Sequence, residues 1–384
     1  MNILVTGANG FIGKNLRVYF EKMDDVNVIC FNKNNSFEDL RHFVIDADFV
    51  FHLAGVNRPN NSYQFYEGNF DLTKSLVDIL NENKKDIPLI ITSSIQAELD
   101  NDYGKSKKQA EDYMRENYNN SIIFRLHNVF GKWCKPNYNS VVATFCYNIS
   151  HNLDIMVSDS SKKLELVYID DVCETFCNVV RDVSSFSKDE INYISERKII
   201  TLGELSELIY SFHDDMKSIY VPKTGDAFIK KLFATYVSYL PLEDMVFTPV
   251  QHVDQRGGFC ELVRTLDSGQ FSVSYSKPGI FRGNHYHHTK MERFIVIKGK
   301  AKITFRHIIT NEMKEYYVSG DELQIVTIPV GYTHKIENIG KDEMILFLWC
   351  NELFNENHPD TYMEEVENGK DKSNGCSRNK TRNN

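Results

Sequence analysis

The sequence predicts an α/β domain built on a doubly wound parallel sheet, followed by an all-β barrel domain. Three observations carry that expectation. The chain opens with a short apolar run, residues 2–6, that passes at once into a glycine-rich turn and then into apolar residues at helical spacing. From about Phe247 to Trp349, short alternating runs are separated by Gly and Pro turns, the pattern of a double-sheet barrel. The length, 384 residues, suits about two domains.

Composition narrows the class. A quarter of the residues are charged and 42% are hydrophobic, as in soluble globular proteins. No apolar run reaches the roughly 18 residues a membrane span needs, so none is expected. The start, MNILVTGANG, reads as strand and turn with no signal peptide. A net charge of -9 argues against a nucleic-acid partner. The eight cysteines are scattered without a CxxC, so reduced thiols in the cytoplasm are expected. Cys173 and Cys177, four apart in a helical stretch, read as packing residues.

In chain order, the first site is the turn Gly7-Ala-Asn-Gly10-Phe-Ile-Gly13. Such a turn between strand and helix brings backbone N–H groups to a pyrophosphate at the positive end of the helix. Gly7 serves the tight turn, Gly10 the close approach, and Gly13 the helix–strand packing. The spacing resembles that of short-chain dehydrogenases/reductases, in particular their extended, sugar-nucleotide-modifying branch. That resemblance implies a Rossmann-type NAD(P)-binding domain over residues 1–243, with Gly7, Asn9, Gly10, Phe11, Ile12 and Gly13 at the cofactor. The second strand, 26–31, ends at Asn32 and Lys33, with no carboxylate before Glu38. An acid there would repel a 2′-phosphate, whereas lysine and amides accept it, so NADPH is expected over NADH. The strand leading into Leu53, Ala54 and Gly55 resembles the segment lining the adenine side of the cofactor. Asn69 resembles the asparagine that steadies the central helix, and it also reads as an ordinary helix cap.

A strand over 89–92 then ends in Ser93-Ser94, and a helix carries Tyr103 and Lys107. Four residues apart, these two share a helix face. An ammonium there is expected to lower the phenol toward the working pH, so that Tyr103 gives a proton to a carbonyl oxygen as hydride arrives. By resemblance to the family, Ser94 hydrogen-bonds the same oxygen, with Ser93 the alternative, and Tyr103 and Lys107 also contact the cofactor. A second Y-x3-K, Tyr286 and Lys290, lacks the preceding glycine turn and Ser-ended strand. The segment 122–131 resembles the substrate-admitting strand and loop of extended reductases, with His127 where a proline is usual. Lys132, Lys135, Asn137 and Asn139 read equally as phosphate or sugar contacts and as solvated loop residues. Tyr168, Asp170 and Asp171 resemble a structural segment of the fold. Residues 200–240 read as amphipathic helices closing the first domain.

The second domain, 244–363, centres on GIFRGNHYHHTKME, residues 279–292. His285 and His287 share a strand face by their period of two, and Glu292 begins the next alternating run. A hairpin through His288–Met291 is expected to bring them together, with His334 arriving from PVGYTH. Three His and one Glu suit zinc or another first-row divalent ion. Gly279, His285, His287, Glu292 and Gly299, then Pro329, Gly331, His334 and Asn338, resemble the two motifs of the cupin superfamily, the double-stranded β-helix. Leu323 stands where the second motif has a glycine. Asp254 to Glu261 resembles the opening of sugar-nucleotide epimerase cupins. Residues 364–384, rich in Asn, Lys and Ser, read as a disordered tail.

An extended reductase fused to a metal-type cupin resembles the bifunctional capsular polysaccharide enzymes that make UDP-2-acetamido-2,6-dideoxy-L-talose, on the route to UDP-N-acetyl-L-fucosamine. The resemblance implies a cupin that epimerises C3 of a 4-keto-6-deoxy UDP-sugar and a reductase that then reduces C4 with NADPH, in a homodimer. Two other readings are an NAD-dependent UDP-sugar 4-epimerase, and a reductase whose cupin only binds sugar or dimerises.

Overall fold

The computed structural model describes residues 1–59 and 61–367. The chain forms two compact units: Met1–His213 with Ala227–Met245, and Asp214–Asp226 with the described chain from Val246 on.

The first unit is built on β1 (Asn2–Thr6), β2 (Asn27–Phe31), β3 (Phe49–His52), β4 (Leu89–Ser94) and β5 (Ser121–Leu126). With the short β8 (Ile191–Asn192) they form a sheet in the order β2-β1-β3-β4-β5-β8, and every pairing is parallel. Alternate residues of each strand are apolar on both faces, which forces helices onto both sides. Ile3, Val5, Phe49, Phe51, Ile122 and Phe124 pack with Leu16, Phe20, Val172 and Phe176 of helices Phe11–Phe20 and Ile169–Arg181. Leu4, Val50, Leu89, Ile91 and Ile123 form the other core with Leu76, Leu80, Ala110 and Met114 of helices Leu72–Glu82 and Asp102–Asn117. Cys173 and Cys177 lie in the first core, and the cysteines among the described residues are all free.

Helix Asp102–Asn117 is fixed against β5 by a buried ion pair. Arg125 donates to Glu111 through Nε at 2.9 Å and Nη2 at 2.7 Å. Leaving either charge alone there would cost about 3–5 kcal/mol. A smaller sheet, β6 (Asn128–Phe130), β7 (Lys163–Tyr168) and β9 (Lys198–Thr201), flanks the main one. Asp171 holds Lys231 of helix Ala227–Val237 at 2.8 Å, which ties the closing helix to the fold.

The second unit comprises β10 (Gln251–Asp254), β11 (Gly257–Thr265), β12 (Gly269–Ser276), β13 (Phe281–Tyr286), β14 (Glu292–Lys298), β15 (Lys300–His307), β16 (Met313–Ser319), β17 (Ile325–Ile328), β18 (Tyr332–Asn338), β19 (Met344–Cys350) and β20 (Tyr362–Met363). Two antiparallel sheets, β10-β11-β12-β19-β14-β17 and β16-β15-β18-β13-β20, face one another across Phe294, Val296, Leu346, Ile303, Phe305 and Ile336. This is the expected double-sheet barrel.

Three expectations change. β13 and β14 do not form a hairpin: they lie in different sheets, so His285 and Glu292 face each other across the barrel. Asp214–Asp226 is not part of the first unit. Ile219 and Val221 exchange backbone hydrogen bonds with Arg264 at 2.7 and 2.9 Å, adding this segment to the edge of β11. Glu364–Glu367, expected to be disordered, is packed: Val366 is fully buried and its carbonyl accepts from Arg306 Nε at 3.0 Å. Residues 368–384 of that expected tail lie outside the described residues.

Candidate functional site

The glycine turn is closed by backbone contacts that admit no side chain. Gly7 has φ +68°, and a Cβ there would lie 2.8 Å from the Ala54 Cα. A Cβ on Gly13 would lie 2.3 Å from the Gly7 carbonyl oxygen. The Gly7 N–H donates to the Phe31 carbonyl at 2.8 Å, and Leu53 N–H to the Thr6 carbonyl at 3.2 Å. Gly7, Gly13, Leu53 and Ala54 are therefore in one place at the C-terminal end of β1. Helix Phe11–Phe20 starts at Gly10 without a side-chain cap, which leaves its N–H groups available for an anion. Phe11 and Ile12 pack their side chains against the core, leaving only backbone for the turn.

At the end of β2, Asn32 Oδ1 accepts the Asn9 N–H at 2.8 Å, and Lys33 is exposed. Arg17 donates to Asn9 Oδ1 at 3.2 Å. Sequence reading missed Arg17, because one basic residue on a helix surface carries no signal until the fold sets it beside the turn.

A buried chain of hydrogen bonds runs from this turn toward the next site. His52 Nδ1 lies 2.7 Å from Thr6 Oγ1, and its Nε2 lies 2.9 Å from Thr73 Oγ1. Thr73 donates to the Asn69 carbonyl at 2.6 Å, so its oxygen accepts from His52 Nε2–H. Complete burial takes the His52 pKa down to about 3. Asn69 is not a helix cap. It sits in the π-turn Tyr66–Asp71, where its side chain bonds both backbone groups of Val56 and donates to Ser106 Oγ at 3.0 Å. A Cβ on Gly55 would lie 2.8 Å from Asn69 Oδ1 and 3.1 Å from Lys107 Nζ.

Ser94 ends β4, and Tyr103 and Lys107 lie on helix Asp102–Asn117. Asn101 caps that helix through the Gly104 N–H at 2.8 Å. The Ser94 side chain comes close enough to the Tyr103 phenol to favour its ionised form, and its Oγ accepts the Gln96 N–H at 3.2 Å. Ser93, the alternative, is buried, and its Oγ has no partner among the described residues. Lys107 is buried and donates to the Thr92 carbonyl at 3.1 Å. Burial raises the Tyr103 pKa while the nearby Ser94 opposes that rise, so the lowering expected from Lys107 is not what these surroundings impose. Burial also takes Lys107 itself down to about 8, although Glu111 supports its charge.

Around the adjoining loop, His127 lies 3.2 Å from Glu165 and 3.3 Å from Arg197. Lys132 is paired with Asp170, and Asn137 bonds Thr144 and Asn148, so both are committed to the fold. Lys135 lies over the Tyr138 ring, 5.2 Å from its centroid.

In the barrel, ligand atoms of His285, His287, Glu292 and His334 all lie within 4.8 Å of one another. Three of them, His287 Nε2, Glu292 Oε2 and His334 Nε2, are buried without a hydrogen-bond partner among the described residues. Glu292 Oε2 stands 3.5 Å from His287 and 3.3 Å from His334, at the long limit for direct bonding. Buried, unpartnered N and O donors converging on one point fit a divalent ion, and the set of three His and one Glu suits zinc. Burial, with His334 close by, takes the His285 pKa down to about 4. The Glu292 carboxyl is held well below its ordinary value: burial opposes this, but the His287 and His334 rings and the Lys290 ammonium beside it outweigh it. Lys290 Nζ lies 3.3 Å from Glu292 Oε1, while Tyr286 and His288 pack against Tyr362.

Comparison with known proteins matches both halves. Residues 3–193 match the NAD dependent epimerase/dehydratase family, and residues 252–362 the polysaccharide biosynthesis C-terminal domain. The chain is 43% identical, over 96% of its length and 100% of the relative, to UDP-2-acetamido-2,6-beta-L-arabino-hexul-4-ose reductase of Pseudomonas aeruginosa. Among solved structures, capsular polysaccharide assembling protein CapF from Staphylococcus aureus is 44% identical with a TM-score of 0.87, covering 95% of this chain and 100% of that one. CapF with the inhibitor 3-isopropenyl-tropolone is 41% identical with a TM-score of 0.84 and the same coverage. The chain therefore belongs to the two-domain family represented by this reductase and CapF, with an NAD dependent epimerase/dehydratase domain followed by a polysaccharide biosynthesis C-terminal domain.

Proposed function

We propose that the chain is a two-site sugar-nucleotide enzyme of capsule precursor synthesis, working in the cytoplasm as a homodimer. The barrel domain epimerises C3 of a UDP-2-acetamido-2,6-dideoxy-4-hexulose. The first domain then reduces the C4 ketone with NADPH to UDP-2-acetamido-2,6-dideoxy-L-talose. One observation carries the reductase half: Ser94 at the end of β4 with Tyr103 and Lys107 on helix Asp102–Asn117, in a chain 43% identical to a hexul-4-ose reductase.

Gly7–Gly13 and Leu53–Gly55 would hold NADPH, which when bound would supply the hydride for C4. As the ketone's π electrons move onto oxygen, the Tyr103 phenol gives that oxygen its proton, and the Ser94 hydroxyl donates a hydrogen bond to it. The Lys107 ammonium offsets the charge left on the phenolate. Tyr103 is partly buried, and the lower effective dielectric there strengthens each of these interactions.

The barrel chemistry follows from the same ketone. A proton on C3 is acidic because the charge left by its removal spreads onto the C4 oxygen. A divalent ion held by His285, His287, Glu292 and His334 would supply positive charge for that oxygen, worth several kcal/mol. The relative's inhibitor supports this reading, since a tropolone presents adjacent oxygens that chelate divalent ions.

The direct test supplies the keto-sugar nucleotide and NADPH and follows both NADPH and product stereochemistry. Stoichiometric NADPH loss with an L-talo product is expected. Interconversion of 4-epimers without net cofactor loss would instead mark a 4-epimerase.

Two further results are expected. Lys33→Glu should raise the KM for NADPH roughly tenfold or more and leave that for NADH nearly unchanged, since a reversed charge beside a 2′-phosphate repels it. Equal effects on both cofactors would remove Lys33 from that site. Reduction should also weaken with rising pH. The Lys107 pKa lies below its ordinary value, at about 8, so the ammonium is present below that pH and lost above it. Log kcat/KM for the keto-sugar should therefore fall above about pH 8, and a flat profile through that range would exclude the lysine's charge from the step. The sign for stability is opposite: burial penalises the ammonium, so the contribution of Lys107 to stability rises as pH climbs past about 8.

A further inference from the structure

The segment Asp360–Glu367 reaches each histidine of the barrel cluster. β20 pairs with β13 so that Met363 lies opposite His285. Beside it, Asn284 adopts φ +60° and accepts two strap amides, Glu364 N–H at its carbonyl (2.9 Å) and Val366 N–H at Oδ1 (3.2 Å). Thr333 and Lys335, which flank His334, bond the Glu364 carbonyl and the Glu367 carboxylate. Arg306, almost fully buried, anchors the strap from below. Its Nη2 donates to Glu364 Oε1 at 2.7 Å and to the Glu365 carbonyl at 3.0 Å.

Asp360 acts twice. Its carbonyl accepts from His287 Nδ1. That nitrogen must then carry the ring proton, which leaves the lone pair on Nε2, the atom facing the cluster. Its carboxylate collects the N–H groups of His288 at 3.0 Å, Thr289 at 2.6 Å and Lys290 at 2.8 Å, and the Thr289 hydroxyl at 3.0 Å. Those residues form the turn between His287 and Glu292, so one side chain sets the spacing of two cluster members that come from different sheets.

We propose that Asp360–Glu367 is a clasp for the divalent-ion cluster and that Asp360 is its positioning residue, fixing the His287 tautomer through its carbonyl and the 288–290 turn through its carboxylate. This rests on reading the cluster as a metal site. Reciprocity follows: if the clasp raises affinity for the ion, the ion tightens the clasp by the same factor.

The test measures zinc affinity of the full chain by competition with a chromophoric chelator. Asp360→Ala should weaken zinc binding by about 10–100-fold, and Asp360→Asn, which keeps one carbonyl acceptor, by less. Asp360→Ala keeps the main-chain carbonyl, so wild-type affinity in this variant overturns the carboxylate's hold on the 288–290 turn and with it the positioning role of Asp360. Absence of zinc binding by the wild type overturns the metal reading beneath it, so the two failures are distinct. A second measurement needs no variant. Adding zinc to chelator-stripped wild type should slow hydrogen exchange at the amides of His288, Thr289, Lys290, Glu364 and Val366, with that of Gly104 in the reductase helix as the unchanged control. Unaltered exchange at those five amides with zinc bound overturns the clasp.

Discussion

Tyr103→Phe is expected to lower the rate of NADPH-dependent ketone reduction by about 10²–10⁴-fold, the usual worth of a positioned general acid. In the proposed mechanism the phenol is the proton donor, and its neighbours are poor replacements. Ser94 lies beside it, but a serine hydroxyl is a far weaker acid. Lys107 is committed to the Thr92 carbonyl. Phenylalanine keeps the ring packing against Phe65, whose centroid is 5.7 Å away, so the helix should hold its place. NADPH affinity should change little, because the glycine turn is built by backbone contacts elsewhere. A variant that reduced the keto-sugar within a few-fold of wild type would remove Tyr103 from the proton transfer.

His285→Ala is the second large effect. Removing one of four donors, all within 4.8 Å of one another, should lower zinc affinity by several orders of magnitude and abolish proton exchange at C3. Reduction of a substrate already epimerised should continue, since the reductase residues lie on β4 and helix Asp102–Asn117. Full zinc content in this variant, by elemental analysis, would exclude His285 as a ligand.

Much of both sites was legible in the sequence because local periods govern them. Tyr103 and Lys107 share a helix face by their spacing, and glycines at 7, 10 and 13 follow from a turn too tight for a Cβ. The cluster of His285, His287, Glu292 and His334 was legible from residue type and order, but the hairpin drawn to unite it was wrong. Alternation shows which residues share a face and says nothing of which sheet a strand joins. What sequence reading missed is long-range. Asp360 meets His287 across 73 positions, and Arg17 matters only once the end of β2 sets Asn9 beside it. Residues 219–221 read as helix because of their amphipathic surroundings, yet the Ile219 carbonyl and the Val221 N–H bond the backbone of Arg264. The direction of the Tyr103 pKa was missed for a similar reason: spacing reveals the lysine, while burial, which dominates, is a property of the folded chain.

The central claim is that two separate sites act in turn on one ketone. It is tested most directly by incubating the keto-sugar nucleotide in D₂O with wild type, Tyr103→Phe and His285→Ala, and reading deuterium at C3 by NMR. Tyr103→Phe should introduce deuterium at C3 without oxidising NADPH, and His285→Ala should introduce almost none. Exchange at the wild-type rate in His285→Ala, or its loss in Tyr103→Phe, would place epimerisation outside the barrel cluster and contradict the account.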